Sequence, residues 1–493
     1  MTDTISIPGF SSNNRVPGFY FSLDASKANT ATAQRQVLII GQMLPTSKET
    51  PNIAVECSGV SSAIGLYGAG SQIALMVEAY RKIDRNGKLW VLPLADEKGN
   101  LPSTGSIQFD GTMSRNGKIS LYIGDVLIER SFASGTYAET VAQSISDLVN
   151  SVINVPVTAT ANQSTINLTS KNTGYYGNSI SINLNLLGEV AGQKTPDGLT
   201  ISITKMTGGS GNPSVLKEAL ANLGQRQFDL FIHPYPDEVS LGIFSDFLDD
   251  RWQATVQLYG HAITAANGTY GDITSIGVMA NSEYLTIIGT ADSPSHYMVW
   301  AAQVGAQVAM SIRDNPAIPI TGLALKVMPP TDAGTFLYEQ RNSLLYDGIS
   351  TFSVNNNQVM IERLITMYKK NVYGNDDNSY LNIETMLTAA FALQDMRAFL
   401  AGQFSRCILL QNGSKISSGQ KATTAELIAK SCAAHYRTQS TYLWVQNPDQ
   451  FSRDIKSENV GNGIVKLLMP YQFSDQLFTI AGNCQFTKIE EPN

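Results

Sequence analysis

A change in the spacing of apolar residues divides this chain and limits the folds that it can adopt. Residues 36–102 follow an α/β pattern, in which Val37 to Ile40 is a continuous apolar run that suits a strand covered on both faces. Apolar residues recur at helical spacing after Gly70, and Lys88 to Leu94 again has the composition of a strand. We therefore predict one β-α-β unit in this part of the chain.

From Ser103 to Asn212 the spacing changes to short segments in which apolar and polar residues alternate, as they do in strands with one buried face. Thr136 and Glu139 have the spacing of a capping box and predict one helix in this region. Only five charged residues occur between Ser151 and Ser210, and a Gly-rich turn follows. We predict an inserted β-rich, β-sandwich-like domain with strands at residues 119–123, 180–186 and 199–203.

The α/β pattern resumes after this insertion. Ser293 and Pro294 predict the N-terminus of a long helix that runs to about Arg313. One further helix is predicted to begin near Ser240, and two later helices are predicted at residues 384–403 and 424–437. The predicted strands are residues 228–232, 276–280, 285–289, 464–469 and 477–486.

The length of 493 residues predicts more than one domain, because a single hydrophobic core stops growing near roughly 250 to 300 residues. The fold class is therefore multidomain α/β, with extended arms at both ends. The predicted parts are an N-terminal arm (1–35), an α/β core in two pieces (36–102 and 213–355), the inserted domain (103–212), a C-terminal α/β domain (356–460) and C-terminal strands with an arm (461–493).

The low charge restricts the partners that the chain can hold. Charged residues make up 15% of the sequence and the net charge is -7, so no basic field exists to bind a nucleic acid. The first ten residues lack the basic cluster and apolar run of a leader peptide, and no stretch approaches the ~18 apolar residues of a membrane helix. We expect a soluble protein that starts in the cytosol and binds neither nucleic acid nor a membrane.

Residues suited to catalysis or metal binding are sparse. The four histidines and four cysteines are scattered, without the spacing of a metal site. Gly68, Ala69 and Gly70 open like a dinucleotide-binding loop, but Ile73 takes the third glycine position and no P-loop lysine follows. We predict a protein that is not an enzyme, with no catalytic residue, no cofactor and no metal site.

The segment from Gly289 to Pro294 has a faint resemblance to the nucleophile segment of subtilisin-like hydrolases, in which a serine comes just before a helix. Ala291 holds the corresponding position and has no hydroxyl group for acyl transfer. A degenerate hydrolase is one alternative that this segment leaves open, and a plain strand-to-helix turn is the other.

Eight short segments outside the insertion carry a further resemblance by their order along the chain. They are Arg15–Tyr20, Gln36–Gln42, Asp249–Trp252, Asp314–Pro319, Ile361–Asn371, Tyr380–Leu387, Asp449–Asp454 and Asn462–Phe486. As an ordered set they resemble the tail sheath proteins of Mu-like contractile-tailed phages. The resemblance implies a subtilisin-like α/β core without protease activity, which agrees with Ala291, and it suits an outward-facing insertion.

In the sheaths that this chain resembles, subunits form rings around a rigid tube, and terminal arms of two neighbours add strands to a small sheet of a third subunit. Gly18 to Leu23 is the first expected donor strand, because it has no local partner, and Leu477 to Phe486 is the second. Ile464 to Met469 is expected in the receiving sheet or in the same hairpin. The residues expected to link subunits are Gly18, Phe19, Tyr20, Phe21, Ser22, Leu23, Ile464, Val465, Lys466, Leu467, Leu468, Leu477, Phe478, Thr479, Ile480, Gln485 and Phe486.

The resemblance also implies the partners and the location. The expected partners are neighbouring sheath subunits, the tail tube protein, and the baseplate and tail terminator proteins. The sheath would assemble in the host cytoplasm, form part of the virion tail, and contract to drive the tube through the host envelope without a nucleotide. A sheath of a phage-derived secretion system or of a tailocin would share these sequence features and is the alternative.

Overall fold

Mixed α/β structure extends over residues 35–417 and 419–486, the residues that the computed structural model describes. Within them, no helix combines the length and the apolar character needed to span a membrane. The helices are α1 (Val60–Tyr67), α2 (Gln72–Ile83), α3 (Ala138–Ser151), α4 (Leu216–Ala221), α5 (Glu238–Trp252), α6 (Tyr270–Gly277), α7 (Tyr297–Asp314), α8 (Tyr338–Tyr346), α9 (Ile383–Phe404), α10 (Ala425–Thr441) and α11 (Pro448–Asp454). The strands are β1 (Val37–Gln42), β2 (Val55–Glu56), β3 (Leu89–Leu94), β4 (Thr104–Gly111), β5 (Gly117–Ile123), β6 (Val126–Phe132), β7 (Val157–Asn162), β8 (Thr165–Ser170), β9 (Ile182–Leu184), β10 (Leu199–Thr207), β11 (Leu230–Ile232), β12 (His261–Ala266), β13 (Leu285–Gly289), β14 (Thr351–Asn355), β15 (Gln358–Arg363), β16 (Ile408–Leu410), β17 (Ala422–Thr424), β18 (Lys456–Gly461) and β19 (Ile464–Leu468).

The central sheet has six strands in the order β13-β12-β11-β1-β3-β2, and all but the short β2 run parallel. Counted along the chain, its five parallel strands lie in the order 2-1-3-4-5, which is a doubly wound arrangement. Every residue of β1 and β12 is buried, as expected for strands covered on both faces. The strand order reverses between β1 and β11, and a crevice at the carboxyl ends of strands is expected there.

The insertion between β3 and β11 contains two antiparallel sheets, one with the order β10-β4-β8-β7 and one with the order β6-β5-β9. Helix α3 packs on β4, β7 and β8 through Val141, Ile145 and Val149, which recur at helical spacing and are buried. The chain enters and leaves the insertion at an isolated antiparallel bridge between Leu101 and Ser210. The buried residues of the insertion are continuous with the core of the central sheet.

A second, separate core lies beneath the hairpin of β18 and β19. Tyr436 of α10 stacks on Phe451 of α11 with ring centroids 3.8 Å apart, and Tyr471 packs edge-on against both rings. Leu467 of β19 packs against this cluster. The C-terminal hairpin is therefore held by its own small core.

The predicted strand at residues 276–280 is wrong. Helix α6 ends there, and its N-cap residue is Thr269, which forms a reciprocal capping box with Asp272. A short apolar run suits the end of a helix as well as a strand, so the spacing alone could not decide. The strand of this region is β12, whose alanine-rich sequence gives only a weak strand signal.

Other element boundaries also differ from the predictions. Helix α7 begins after His296 rather than at Ser293, and residues 180–186 form only the short strand β9. Thr136 does not cap α3, because its hydroxyl donates to Ala133 O at 2.7 Å and the N-cap residue is Tyr137. The predicted strand at 477–486 forms no strand here. A strand requires a partner, and the described part of the chain does not supply one to this segment.

Candidate functional site

The crevice beside β1 is the first place where an open α/β sheet could bind a ligand. It is filled by the insertion. The Asn172 side chain is fully buried there, and its Nδ2 donates to Met43 O at 2.8 Å and to Asp96 Oδ1 at 2.9 Å. Its Oδ1 accepts from the backbone N of Gln72, the first residue of α2, at 3.0 Å. An amide oxygen of this chain thus occupies the position at a helix N-terminus where a bound anion would lie.

Asp96 is the acceptor around which this contact is built. Its carboxylate accepts from Gln42 Nε2 at 2.7 Å, from Thr173 N at 3.1 Å and from Asn172. Burial raises the pKa of this carboxyl group, while its hydrogen-bond donors act in the opposite direction. Two of the three groups that donate to the Asp96 carboxylate, those of Asn172 and Thr173, therefore belong to the insertion.

The Gly-rich loop before α2 also contacts the insertion. Gly70 N donates to Asn154 Oδ1 at 2.8 Å, and Lys171 Nζ donates to Ala69 O at 3.0 Å. Gly70 has φ of 81°, and a Cβ atom there would lie 2.0 Å from Val155 O. Glycine at this position permits the close approach of the insertion, and the loop amide binds an asparagine rather than a phosphate.

The turn between β13 and α7 is the second place where the sequence suggested chemistry. Ala291 is buried with φ of 54°, a strained value for alanine. His296 caps α7 by accepting from Met298 N at Nδ1, and its Nε2 is 2.8 Å from Tyr176 O of the insertion. Burial lowers the pKa of His296 to about 4, so the ring is neutral at neutral pH and Nε2 donates.

Residues of the insertion also cover the turn between β13 and α7. Ser181 Oγ donates to Pro294 O at 2.6 Å, and Ser295 bonds to the carboxylate of Asp125 in the turn between β5 and β6. We call the contacts of Asn154, Asn172, Tyr176, Ser181 and Asp125 with the α/β core the seam. No spacing in the sequence pointed to these residues, since each lies far along the chain from its partner.

The hairpin of β18 and β19 contains the expected linking residues Ile464 to Leu468. The strands pair antiparallel, with Ser457 opposite Leu467 and Asn459 opposite Val465. Val465 and Leu467 are half-buried, whereas Ile464 and Leu468 are 54% and 61% exposed. Among the described residues no further strand pairs with either edge of this hairpin.

The C-terminal segment 474–486 contains the other expected linking residues, and it does not pair with the hairpin. Leu477, Ile480 and Phe486 are 68%, 84% and 91% exposed. Phe478 is the exception, because the Arg363 guanidinium lies 4.6 Å from the centre of its ring. Ser474 N also donates to Trp444 O at 3.1 Å and Gln476 Nε2 to Ala317 O at 3.4 Å, so the segment is held as far as Phe478 and is open to solvent beyond it. The predicted donor strand Gly18 to Leu23 lies outside the described residues.

Comparison with known proteins gives matches along most of the chain. Residues 208–367 match the family model for the phage tail sheath protein central domain. The Mu-like prophage FluMu tail sheath protein of Haemophilus influenzae is 32% identical over 462 residues, which is 93% of this chain and 94% of that protein.

Two solved structures are more distant. The crystal structure of a sheath tail protein from Desulfitobacterium hafniense has 12% identity and a TM-score of 0.49, covering 93% of this chain and 97% of its own. The crystal structure of one from Listeria innocua has the same identity and TM-score, covering 90% and 92%.

Proposed function

The chain belongs to the phage tail sheath protein family, and we propose that it is the contractile sheath subunit of a Mu-like tail. In this role it polymerises helically around the tail tube and contracts to drive the tube through the host envelope. The observation that carries the proposal is the 32% identity to a Mu-like tail sheath protein over nearly the full length of both chains.

We propose that subunits are linked by strand exchange at the hairpin of β18 and β19. Two features support this. Both hairpin edges present backbone N–H and C=O groups that an added strand can bind, and Ile464 and Leu468 place apolar side chains on the exposed face. The segment from Leu477 to Phe486 has exposed apolar residues and no strand partner within the described residues, so it suits a donor to a neighbouring copy. The arm at Gly18 to Leu23 is the proposed second donor.

The seam supports a rigid-body account of contraction. Packed interfaces switch between discrete arrangements more readily than they deform, so each subunit can move as a unit while flexible arms keep the lattice connected. Because the insertion is joined to the core by buried hydrogen bonds, we propose that both move together. Summed over many copies, a few kcal/mol per subunit would suffice, without a nucleotide.

Partners and location follow from the same proposal. We place the subunit in the virion tail after assembly in the host cytoplasm, in contact with the tail tube, the baseplate and the tail terminator. The role is structural, not enzymatic. The kinship of the α/β core to subtilisin-like hydrolases stays a prediction, and the buried methyl group of Ala291, where acyl transfer would need a hydroxyl group, is the feature that suits an inactive relative.

Negative-stain electron microscopy of the purified chain at rising concentration tests the function. Long hollow tubes with a helical repeat are the expected product. If only small particles form, the tail tube protein is added to provide a nucleus. Small particles in the presence of that tube would contradict the proposal.

A further inference from the structure

Strand β7 lies at an edge of the four-stranded sheet of the insertion, paired with β8 on one side only. On the free side of β7, the backbone of Ala159 bonds to the side chain of Asn150 near the end of α3. Ala159 N donates to Asn150 Oδ1 at 3.0 Å, and Asn150 Nδ2 donates to Ala159 O at 2.8 Å. One side-chain amide thus satisfies both backbone groups of the residue at the centre of the edge.

This pair of bonds reproduces the exchange between two residues of adjacent antiparallel strands, in which each residue donates to and accepts from the other. The Asn150 amide stands where a residue of an additional strand would stand. An incoming strand could bind the backbone of Ala159 only after it displaced the Asn150 side chain.

The other three edge strands of the insertion are β6, β9 and β10, and each has protection of its own: β9 is only three residues long, and the other two are protected by their sequences. Edge strand β10 has Lys205 and a register irregularity between Thr204 and Thr207, and edge strand β6 has Glu129 and Arg130. Charges and bulges of this kind discourage strand addition.

Strand β7, with the sequence VTATAN, has no charge, no proline and an unbroken register with β8. Uncharged strands of about six residues rich in β-branched residues are prone to edge-to-edge pairing. The Asn150 amide is therefore the protection that β7 lacks in its own sequence.

We propose that Asn150 blocks strand addition at β7 and so keeps intersubunit strand exchange away from the insertion. The inference rests on the proposed function, in which each copy presents a strand in search of an acceptor. A second acceptor edge on every copy would compete with the hairpin of β18 and β19.

Asn150 itself is exposed at the helix end, while its neighbour Val149 is buried and holds α3 on the sheet. Removing the amide should therefore uncover the edge without opening a cavity.

The test compares the full chain with Asn150→Ala by sedimentation velocity over a concentration series, below the concentration at which tubes appear. We expect the self-association constant to rise about tenfold, because one or two net hydrogen bonds of roughly 1 kcal/mol each no longer compete with an incoming strand. Gln143→Ala, an exposed amide on the same helix that bonds to Asp147, is the matched control and should associate like the wild type.

A second variant separates edge pairing from loss of stability. Thr160 is exposed on β7, so Asn150→Ala with Thr160→Lys places a charge on the uncovered edge and should restore the wild-type association constant. Slower hydrogen exchange of residues 157–162 in the associated form of Asn150→Ala should locate the contact. Unchanged association of Asn150→Ala, or no rescue by the lysine, would overturn the proposal. Failure of the wild type to form tubes would count against the sheath function alone, because the edge is tested in the absence of tubes.

Discussion

Two regions of this chain offer backbone groups to a partner, and they differ in where that partner comes from. At the seam, the amides of Gly70 and Gln72 are bonded to Asn154 and Asn172 of the same chain. At the C-terminal hairpin, the outer edges of β18 and β19 have no strand partner within residues 35–417 and 419–486.

In the sheath as we propose it, the seam is a fixed contact within one subunit, and the hairpin is the contact that exchanges strands between subunits. Opening the seam would leave buried donors and acceptors unpaired, which costs about 1–3 kcal/mol for each group. The hairpin edges are exposed, so water satisfies them when no strand is bound. A polymer that changes shape without falling apart needs stiff subunits and links that tolerate bending, and this chain has a region suited to each.

Removing the proposed strand donor should have the largest effect. Deletion of residues 477–493 should abolish tube formation while the chain stays folded, because the second core ends at Phe473 and does not use the deleted segment. Electron microscopy and circular dichroism would check both statements. Deletion of residues 487–493 alone keeps Leu477 to Phe486 and serves as the control. Normal tubes from the longer deletion would show that the hairpin does not depend on this donor.

Removing a hydrogen-bonding side chain of the seam should lower the free energy of unfolding. Asn172→Ala removes a buried amide that bonds to Met43, Gln72 and Asp96, so the free energy of unfolding should fall by about 2–4 kcal/mol. Urea unfolding measures it. Asn222→Ala, which removes one long bond at an exposed site, should change the same quantity by less than about 0.5 kcal/mol. Equal effects of the two substitutions would mean that the buried hydrogen bonds of the seam do not stabilise the contact between the insertion and the core.

Acid should weaken the seam by a smaller amount. Burial lowers the folded-state pKa of His296 to about 4, below the value of about 6.5 in an unfolded chain. A depressed histidine pKa stabilises the fold above pH 6.5, and this contribution is lost as the pH falls toward 4. By pH 5 the loss should be about 2 kcal/mol.

His296→Gln should remove this part of the pH dependence, because glutamine does not titrate. Urea unfolding at pH 7 and pH 5 in both proteins isolates His296 from His233 and His261, whose pKa values burial also lowers. The same stability difference between the two pH values in both proteins would rule out a role for His296 titration.

The smallest effect concerns the anchor of the C-terminal segment. Phe478→Ala removes the contact with Arg363, which is worth about 1 kcal/mol or less, so global stability should hardly change. Proteolysis within residues 477–486 should become faster, because among the described residues only the contacts of Ser474 with Trp444 O and of Gln476 with Ala317 O, which precede these residues, still hold the segment. Ile480→Ala, at a side chain that is already 84% exposed, should be cleaved at the wild-type rate. Equal cleavage of both variants would place the start of the open segment before Phe478.

The central sheet and its helices could be predicted where the local pattern agrees with the final environment. Val37 to Ile40 is apolar throughout because β1 is buried on both faces, and the helical spacing after Gly70 reports the buried face of α2. The alanines of β12 carry no such signal, and the apolar end of α6 carries a misleading one.

The seam could not be predicted, because it depends on polar residues that meet only after folding. Asn172 lies 100 residues from Gln72 and 76 from Asp96, and nothing in the local sequence of any of them indicates the others. The linking role of the hairpin and the arms rested on resemblance, and it stays a prediction. The strand-like run at 477–486 has no strand partner among the residues that the structure describes.

The position of the insertion has a consequence for how the chain acquires its structure during synthesis. Val37 pairs with Leu89 on one side and with Leu230 on the other, so the second edge of β1 stays unpaired until a strand 193 residues later in the sequence is made. At about 5–20 residues per second, the ribosome needs roughly 10–40 s to produce it. The insertion is complete before β11 exists, while β1, α2 and β3 are already present. The hydrogen bonds of Asn172 can therefore form on this half-built sheet, and the insertion can hold the carboxyl end of β1 and the start of α2 in place until the remaining strands are made.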